Sequence, residues 1–167
     1  GGLVSLIVLL VVVAGTMLRL NKTYDVQVDA IPIPTDAESI ARGRHIVESY
    51  GLCAECHGDD MGGDILSDDP VFGKLAPSNL TTGLGGKGDE YTEIDFVRAI
   101  RHGIGSDGKP LVIMPSQYFY KFSDDDIGAI VAYLKALPPV DNEDADTSLG
   151  PLGRIISLFD KEILPAR

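Results

Sequence analysis

Cys53-Ala54-Glu55-Cys56-His57 decides how this chain is read. Two thiols separated by two residues, with an imidazole directly after the second, form the C-x-x-C-H signature of covalent haem c attachment. The spacing is set by chemistry: the thiols must reach the two vinyl groups of one porphyrin, and the next residue must offer a nitrogen to the iron from the same side. A structural zinc site is the first rival, but four-ligand zinc sites bring a second Cys/His pair. This chain has only two Cys, and its other histidines, His45 and His102, are far apart in sequence. A thioredoxin-like dithiol, the second rival, requires a βαβ setting that the surrounding pattern does not provide. One covalent haem c is therefore expected, held by Cys53 and Cys56, with His57 as its first iron ligand.

Around this motif the chain resembles the class I, monohaem c-type cytochromes from about Thr35 to Val140. The resemblance rests on Arg42-Gly43-Arg44, on Cys53–His57 with Gly58, and on Ala76-Pro77-Ser78-Asn79-Leu80-Thr81. It continues through Ala99-Ile100-Arg101-His102-Gly103, Met114-Pro115-Ser116 with Tyr118, Asp126-Ile127 and Ala132-Tyr133-Leu134. The domains most similar in character belong to membrane-bound respiratory and dehydrogenase-associated cytochromes. The resemblance implies an all-α fold of a few helices around one covalent haem, assembled outside the cytoplasm. It also implies that the Pro77 carbonyl accepts the second ring N–H of His57, and that Gly43 lets the first domain helix cross the last one near Tyr133.

The 167 residues carry 14 Lys and Arg against 25 Asp and Glu, a formal net charge of -11. Residues 1–34 are neutral, with Arg19 and Lys22 balancing Asp25 and Asp29, so the acid excess lies beyond them. Nucleic acid is excluded as a partner, since phosphate contacts need a basic face. The acid serves solubility, or it steers the domain toward a basic docking surface on an electron donor or acceptor.

Four regions follow from the pattern. Residues 1–20 form an anchor: residues 1–18 are uncharged, and about 18 residues at roughly 1.5 Å rise approach the hydrocarbon thickness of a bilayer. A secretory h-region is shorter, about 7–15 residues, so an uncleaved transmembrane helix is expected, with further residues upstream of Gly1. Residues 21–34 read as an extended linker that lifts the haem domain off the bilayer, because Pro32 and Pro34 disfavour helix before them. Residues 35–140 form the cytochrome domain. Within it, Thr35 is the expected cap of a first helix ending at Gly51, residues 58–77 a loop, Thr92 the start of a second helix, and Ser123 the cap of the last. Residues 141–167 form a tail with an acidic run, Asp141–Asp146, and an amphipathic stretch, Leu152–Phe159, expected either to pack on its own domain or, the reading preferred here, to dock on a partner subunit.

Three methionines compete for the sixth iron position. Met17 lies in the anchor. Met61 is four residues from His57, too near to reach the opposite face, and is expected to line the pocket or the surface. Met114, on a loop stiffened by Pro115, is the expected ligand. His/Met ligation raises the potential and suits electron transfer. Arg101 is a candidate for a haem propionate, which a guanidinium binds bidentately, while Arg98 is expected to face solvent. Tyr118 or Tyr120 is expected to bond the thioether or a propionate. Gly83-Leu84-Gly85-Gly86-Lys87-Gly88 matches G-x-G-x-x-G literally, but no strand precedes it and it reads as a surface loop.

The function expected is single-electron transfer by a single-pass membrane cytochrome whose haem domain faces the periplasmic side, within a respiratory or photosynthetic complex. The alternatives are the electron-accepting subunit of a periplasmic alcohol or aldehyde dehydrogenase, and a peroxidase-type haem enzyme with an open sixth position.

Overall fold

A computed structural model describes residues 1–143, 147–160 and 163–166. The chain is mostly helical. Helix α1 (Gly2–Leu20) is followed by an extended segment and then by α2 (Ala37–Glu48), α3 (Ala54–His57), α4 (Glu93–His102), α5 (Ser116–Phe119), α6 (Asp124–Ala136) and α7 (Pro151–Phe159). Three short strands, β1 (Ser67–Asp69), β2 (Gly73–Leu75) and β3 (Ser148–Leu149), form an antiparallel sheet in the order β1-β2-β3. The region expected to be loop, residues 58–77, thus holds a hairpin. The tail closes it: Gly73 pairs with Leu149 and Lys74 with Ser148.

The core forms where α2 and α6 cross. A Cβ on Gly43 would lie 1.9 Å from the Ala129 carbonyl oxygen and 3.0 Å from Tyr133 Cβ. Only a residue without a side chain permits this backbone approach. Ile46, Val47, Phe96, Val97, Ile127, Ile130 and Val131 fill the interior around it. The helix ends follow their capping chemistry. Thr92 and Asp95 form a reciprocal capping box on α4, which stops at the left-handed Gly103. Ser123 accepts from the Asp126 N–H on α6, whose first turn is acidic, as the helix dipole favours. On α2 the cap is Asp36, not Thr35. The Asp36 carboxylate accepts from the Ser39 N–H at 2.9 Å, and this bond holds its pKa below the usual carboxylate value.

Both flanks pack on the domain. The segment 21–34 is extended, but it is not a free tether. The Tyr24 N–H donates to the Gly108 carbonyl at 2.9 Å, Val28, Ile31 and Ile33 pack on the core, and the Pro32 carbonyl lies against Gly128. The amphipathic stretch becomes α7, and it docks on its own chain. One side meets the hairpin tip, where the Gly150 and Leu152 N–H groups donate to the Phe72 and Val71 carbonyls at 2.9 Å each. The other side meets α1, where Thr16 is fully buried and Arg19 donates to the Ser157 carbonyl. Apart from that contact, α1 exposes its aliphatic side chains. It is the one helix among the described residues long and apolar enough to cross a membrane. Of the acidic run, Asp144 and Asp146 lie outside the described residues.

Candidate functional site

The attachment turn is built from the end of α2. The Gly51 N–H donates to the Ile46 carbonyl and the Cys53 N–H to the Val47 carbonyl, at 2.7 and 3.2 Å. Leu52 between them takes a left-handed φ of 52°, which turns the chain into α3. The Cys53 carbonyl then accepts from both Cys56 N–H (3.1 Å) and His57 N–H (2.8 Å), so both thiols and the imidazole leave a single helical turn.

Burial pushes the Cys53 thiol up to about 11 and raises Cys56 in the same direction. Redox-active dithiols are the opposite case: their thiolate is stabilised. Nor do three or more His, Cys, Asp or Glu side chains converge as a metal site among the described residues. His45 lies 3.2 Å from Ser49 Oγ and edge-on to Tyr50, and His102 is edge-on to Tyr120. Both rivals of the haem reading therefore lose their structural basis.

His57 Nδ1 sits 2.7 Å from the Ser78 carbonyl oxygen. A carbonyl only accepts, so the proton resides on Nδ1 and Nε2 carries the lone pair, as a metal-binding imidazole requires. The acceptor is Ser78, one residue beyond the expected Pro77. A buried clamp with no counterpart among the expected site residues fixes this strand of backbone. Fully buried Asn79 donates from Nδ2 to the Val140 carbonyl at 2.7 Å, while its Oδ1 accepts from Thr81 N–H (2.9 Å) and Thr81 Oγ1 (2.8 Å). The signal for it in the sequence is Asn-x-Thr, a pair that closes a local turn while its amide reaches elsewhere. Asn79→Ala removes the acceptor of the Thr81 N–H and leaves the Val140 carbonyl with only its longer contact to Thr81 Oγ1 at 3.3 Å. It is expected to cost about 2–3 kcal/mol in denaturant unfolding, with a broadened haem-His signal where Ser78 is no longer held.

Met114 is half-buried and packs against the core. Its loop is pinned from several directions. Ile113, at φ 64°, donates its N–H to the Ile163 carbonyl at 2.8 Å, Leu111 N–H reaches the Gly103 carbonyl at 2.7 Å, and buried Ser116 lies against Gly103. The tail residues 163–165 thus brace the loop. Met61 is fully buried in the core, which rules out the surface position, and takes a left-handed φ of 59°.

Of the remaining candidates, Arg98 departs from expectation. Arg101 Nη2 donates to Asp124 (2.6 Å) and to the Phe122 carbonyl (3.0 Å), so that nitrogen is already used twice. Its buried Nε has no partner among the described residues and is the N–H that a propionate would meet. Arg98 is not a solvent-facing charge: it pairs with Asp95 at 2.6 Å, both largely shielded. Tyr118 is 65% exposed and turns away from the loop interior, and Tyr120 packs on His102. The donor set fits a covalent porphyrin: two neutral thiols on one turn, an imidazole of fixed tautomer, a thioether on a braced loop and an orphaned buried guanidinium N–H.

The model of the family described as cytochrome c oxidase, cbb3-type, subunit III matches residues 38–134. A fructose dehydrogenase cytochrome subunit from Gluconobacter japonicus is 30% identical over 142 residues, covering 81% of this chain and 28% of its own length. An alcohol dehydrogenase (quinone) cytochrome c subunit from Komagataeibacter europaeus is 35% identical over 130 residues, covering 67% of this chain and 27% of its own. A gluconate 2-dehydrogenase cytochrome c subunit from Pantoea cypripedii is 29% identical over 120 residues, covering 66% of this chain and 26% of its own. The chain spans less than a third of the length of these curated relatives.

Proposed function

Because the chain belongs to the c-type cytochrome family of cytochrome c oxidase, cbb3-type, subunit III, with a covalently bound haem c, we propose that it is a single-haem electron relay anchored by α1. In this reading its haem domain faces the extracytoplasmic side, and it serves as the cytochrome subunit of a membrane dehydrogenase or respiratory complex. The names of the relatives support the dehydrogenase setting, and the family description supports the respiratory one. The observation that carries the reading is the fixed tautomer of His57 combined with the braced Met114 loop.

The haem supplies a one-electron Fe(III)/Fe(II) couple. The protein supplies everything that sets it. Cys53 and Cys56 hold the porphyrin by thioethers. His57 offers Nε2, and the Ser78 carbonyl raises the basicity of its ring by accepting from Nδ1. Met114 would offer a thioether, a ligand that raises the potential. With His57 and Met114 both held to the haem iron, the chain would leave no place there for a substrate and would carry electrons without substrate chemistry of its own.

The acid excess supports a basic partner. At least seven basic side chains are already paired with acids, among them Arg42–Asp126, Arg44–Glu48 and Lys135–Glu93, and the surplus of 25 acids over 14 bases remains. Electron exchange with a soluble, basic partner is expected to slow steeply between about 0.01 and 1 M salt, as the Debye length falls from about 30 to 3 Å. Stopped-flow oxidation across a salt series measures this. A flat rate would remove steering from the proposal. Absorption and electron paramagnetic resonance spectra of the purified chain test the core of it. Low-spin ferric haem with a Met–iron charge-transfer band is expected, and a high-spin, five-coordinate haem would favour the peroxidase-type alternative. Co-purification with a dehydrogenase or an oxidase after mild detergent extraction separates the two settings.

A further inference from the structure

Helix α7 presents its apolar side chains outward beside the anchor. Phe159 is 84% exposed and Ile155 42%. The hairpin tip on which α7 rests exposes Val71 and Phe72 by about half. The two pieces are one unit, because a Cβ on Gly153 would lie 2.3 Å from the Phe72 carbonyl. The unit is fastened to α1: a Cβ on Gly15 would lie 3.3 Å from the Leu158 side chain, Thr16 Oγ1 lies 3.4 Å from the Arg154 carbonyl, and Arg19 donates to Ser157. Soluble surfaces rarely carry a continuous apolar patch of this kind without a use. This one runs without a break into the exposed aliphatic surface of α1.

We propose that α7 and the 70–73 hairpin tip bed into the outer leaflet of the bilayer, forming an apolar collar around the anchor that fixes the tilt of the haem domain. This rests on reading α1 as a membrane span. The occupant is lipid because the patch flanks residues 12–19 of α1, the stretch next to the first charges of the chain. An open groove of about 500 Å³ between α1 and the start of α7, lined by Val4, Val8, Val12, Pro151 and Ile155, matches an acyl chain in character. The charges at this level are Arg19, Lys22 and Arg154, with Asp160 at the end of α7. Arg154 Nη1 is buried with no partner among the described residues, and a phospholipid phosphate provides the acceptor. Bulky apolar residues on one face with cations beside them make a helix that buries that face at the boundary of headgroups and acyl chains.

The test uses the full holoprotein in vesicles of dioleoyl phosphatidylcholine and phosphatidylglycerol. Both native cysteines are consumed by the haem, so nitroxide labels go only to Phe72→Cys, Ile155→Cys, Phe159→Cys, Leu9→Cys within α1, and Leu84→Cys on the distant glycine-rich loop. An unchanged haem spectrum verifies the fold of each. The expected result is an oxygen-to-nickel-chelate accessibility ratio at 72, 155 and 159 several-fold above that at 84 and approaching that at 9. If 155 and 159 read as water while 9 reads as lipid, the collar is wrong and the anchor stands; a protein partner would then be the occupant. If 9 itself reads as water, the anchor reading fails and the collar with it.

Discussion

Gly43→Ala is expected to destabilise the protein by about 3 kcal/mol or more, and Gly43→Val to prevent accumulation of folded holoprotein. The direction of the first effect is diagnostic. In an unconstrained helix, Gly→Ala stabilises by roughly 1 kcal/mol, because alanine loses less backbone entropy. Here the new Cβ would sit 1.9 Å from the Ala129 carbonyl oxygen, and neither partner is a flexible side chain that can rotate away. Helices α2 and α6 must separate by more than about 1 Å, and overpacking of a tight interior costs typically about 1–3 kcal/mol, occasionally more. The crossing is the main contact of the domain, and total stability is only about 5–15 kcal/mol. Denaturant unfolding followed by helical circular dichroism measures the change. A stabilised Gly43→Ala protein would show that the close crossing does not exist.

Met114→Ala is expected to leave the haem covalently attached while removing its sixth ligand. The Met–iron charge-transfer band disappears, and the potential falls by on the order of 100 mV, a modest part of the roughly 0.8 V over which axial ligands move haem potentials. Met61→Ala is the control. Met61 is fully buried among core residues, so its truncation is expected to cost about 2–5 kcal/mol while the band and potential stay. If the band survived in Met114→Ala and vanished in Met61→Ala, the ligand assignment would be reversed. Removing residues 163–167 provides an intermediate case. Without the Ile163 carbonyl the Ile113 turn loses its partner, and the band is expected to melt at a lower temperature than the helices do.

Much of this architecture is legible in the sequence because it rests on local chemistry. The caps at Thr92 and Ser123, the stop at Gly103 and the attachment turn each depend on residues close to one another in sequence. The glycine at 43 is legible because a helix interior rarely accepts one without a contact that needs it. What escapes depends on distant partners. The β1-β2 hairpin has no alternating pattern, and its outer strand comes from residue 148, with Thr147 bridging the Ala76 N–H and carbonyl. Amphipathicity shows that Leu152–Phe159 must cover something, but not that α1 is part of it. At Thr35-Asp36 two good capping residues stand side by side, and at Pro77-Ser78 two carbonyls do. Periodicity cannot choose between neighbours; only the final position of Ser39 or His57 does. Sequence distance leaves Met61 between pocket and surface, and a left-handed turn at that residue carries it into the interior.

The pinned segment 21–34 bears on how an electron leaves the molecule. A loose chain of that length would let its cargo sample a hemisphere of radius on the order of 20 Å, giving any neighbour on the same membrane a high effective concentration of haem. With Tyr24 bonded to Gly108 and Ile31 and Ile33 packed into the domain, that search volume collapses to a narrow cone. Under the proposed anchoring by α1 the domain would behave as a fixed terminal, and turnover between separate complexes would be set by two-dimensional diffusion and by the height above the bilayer at which a partner holds its own cofactor.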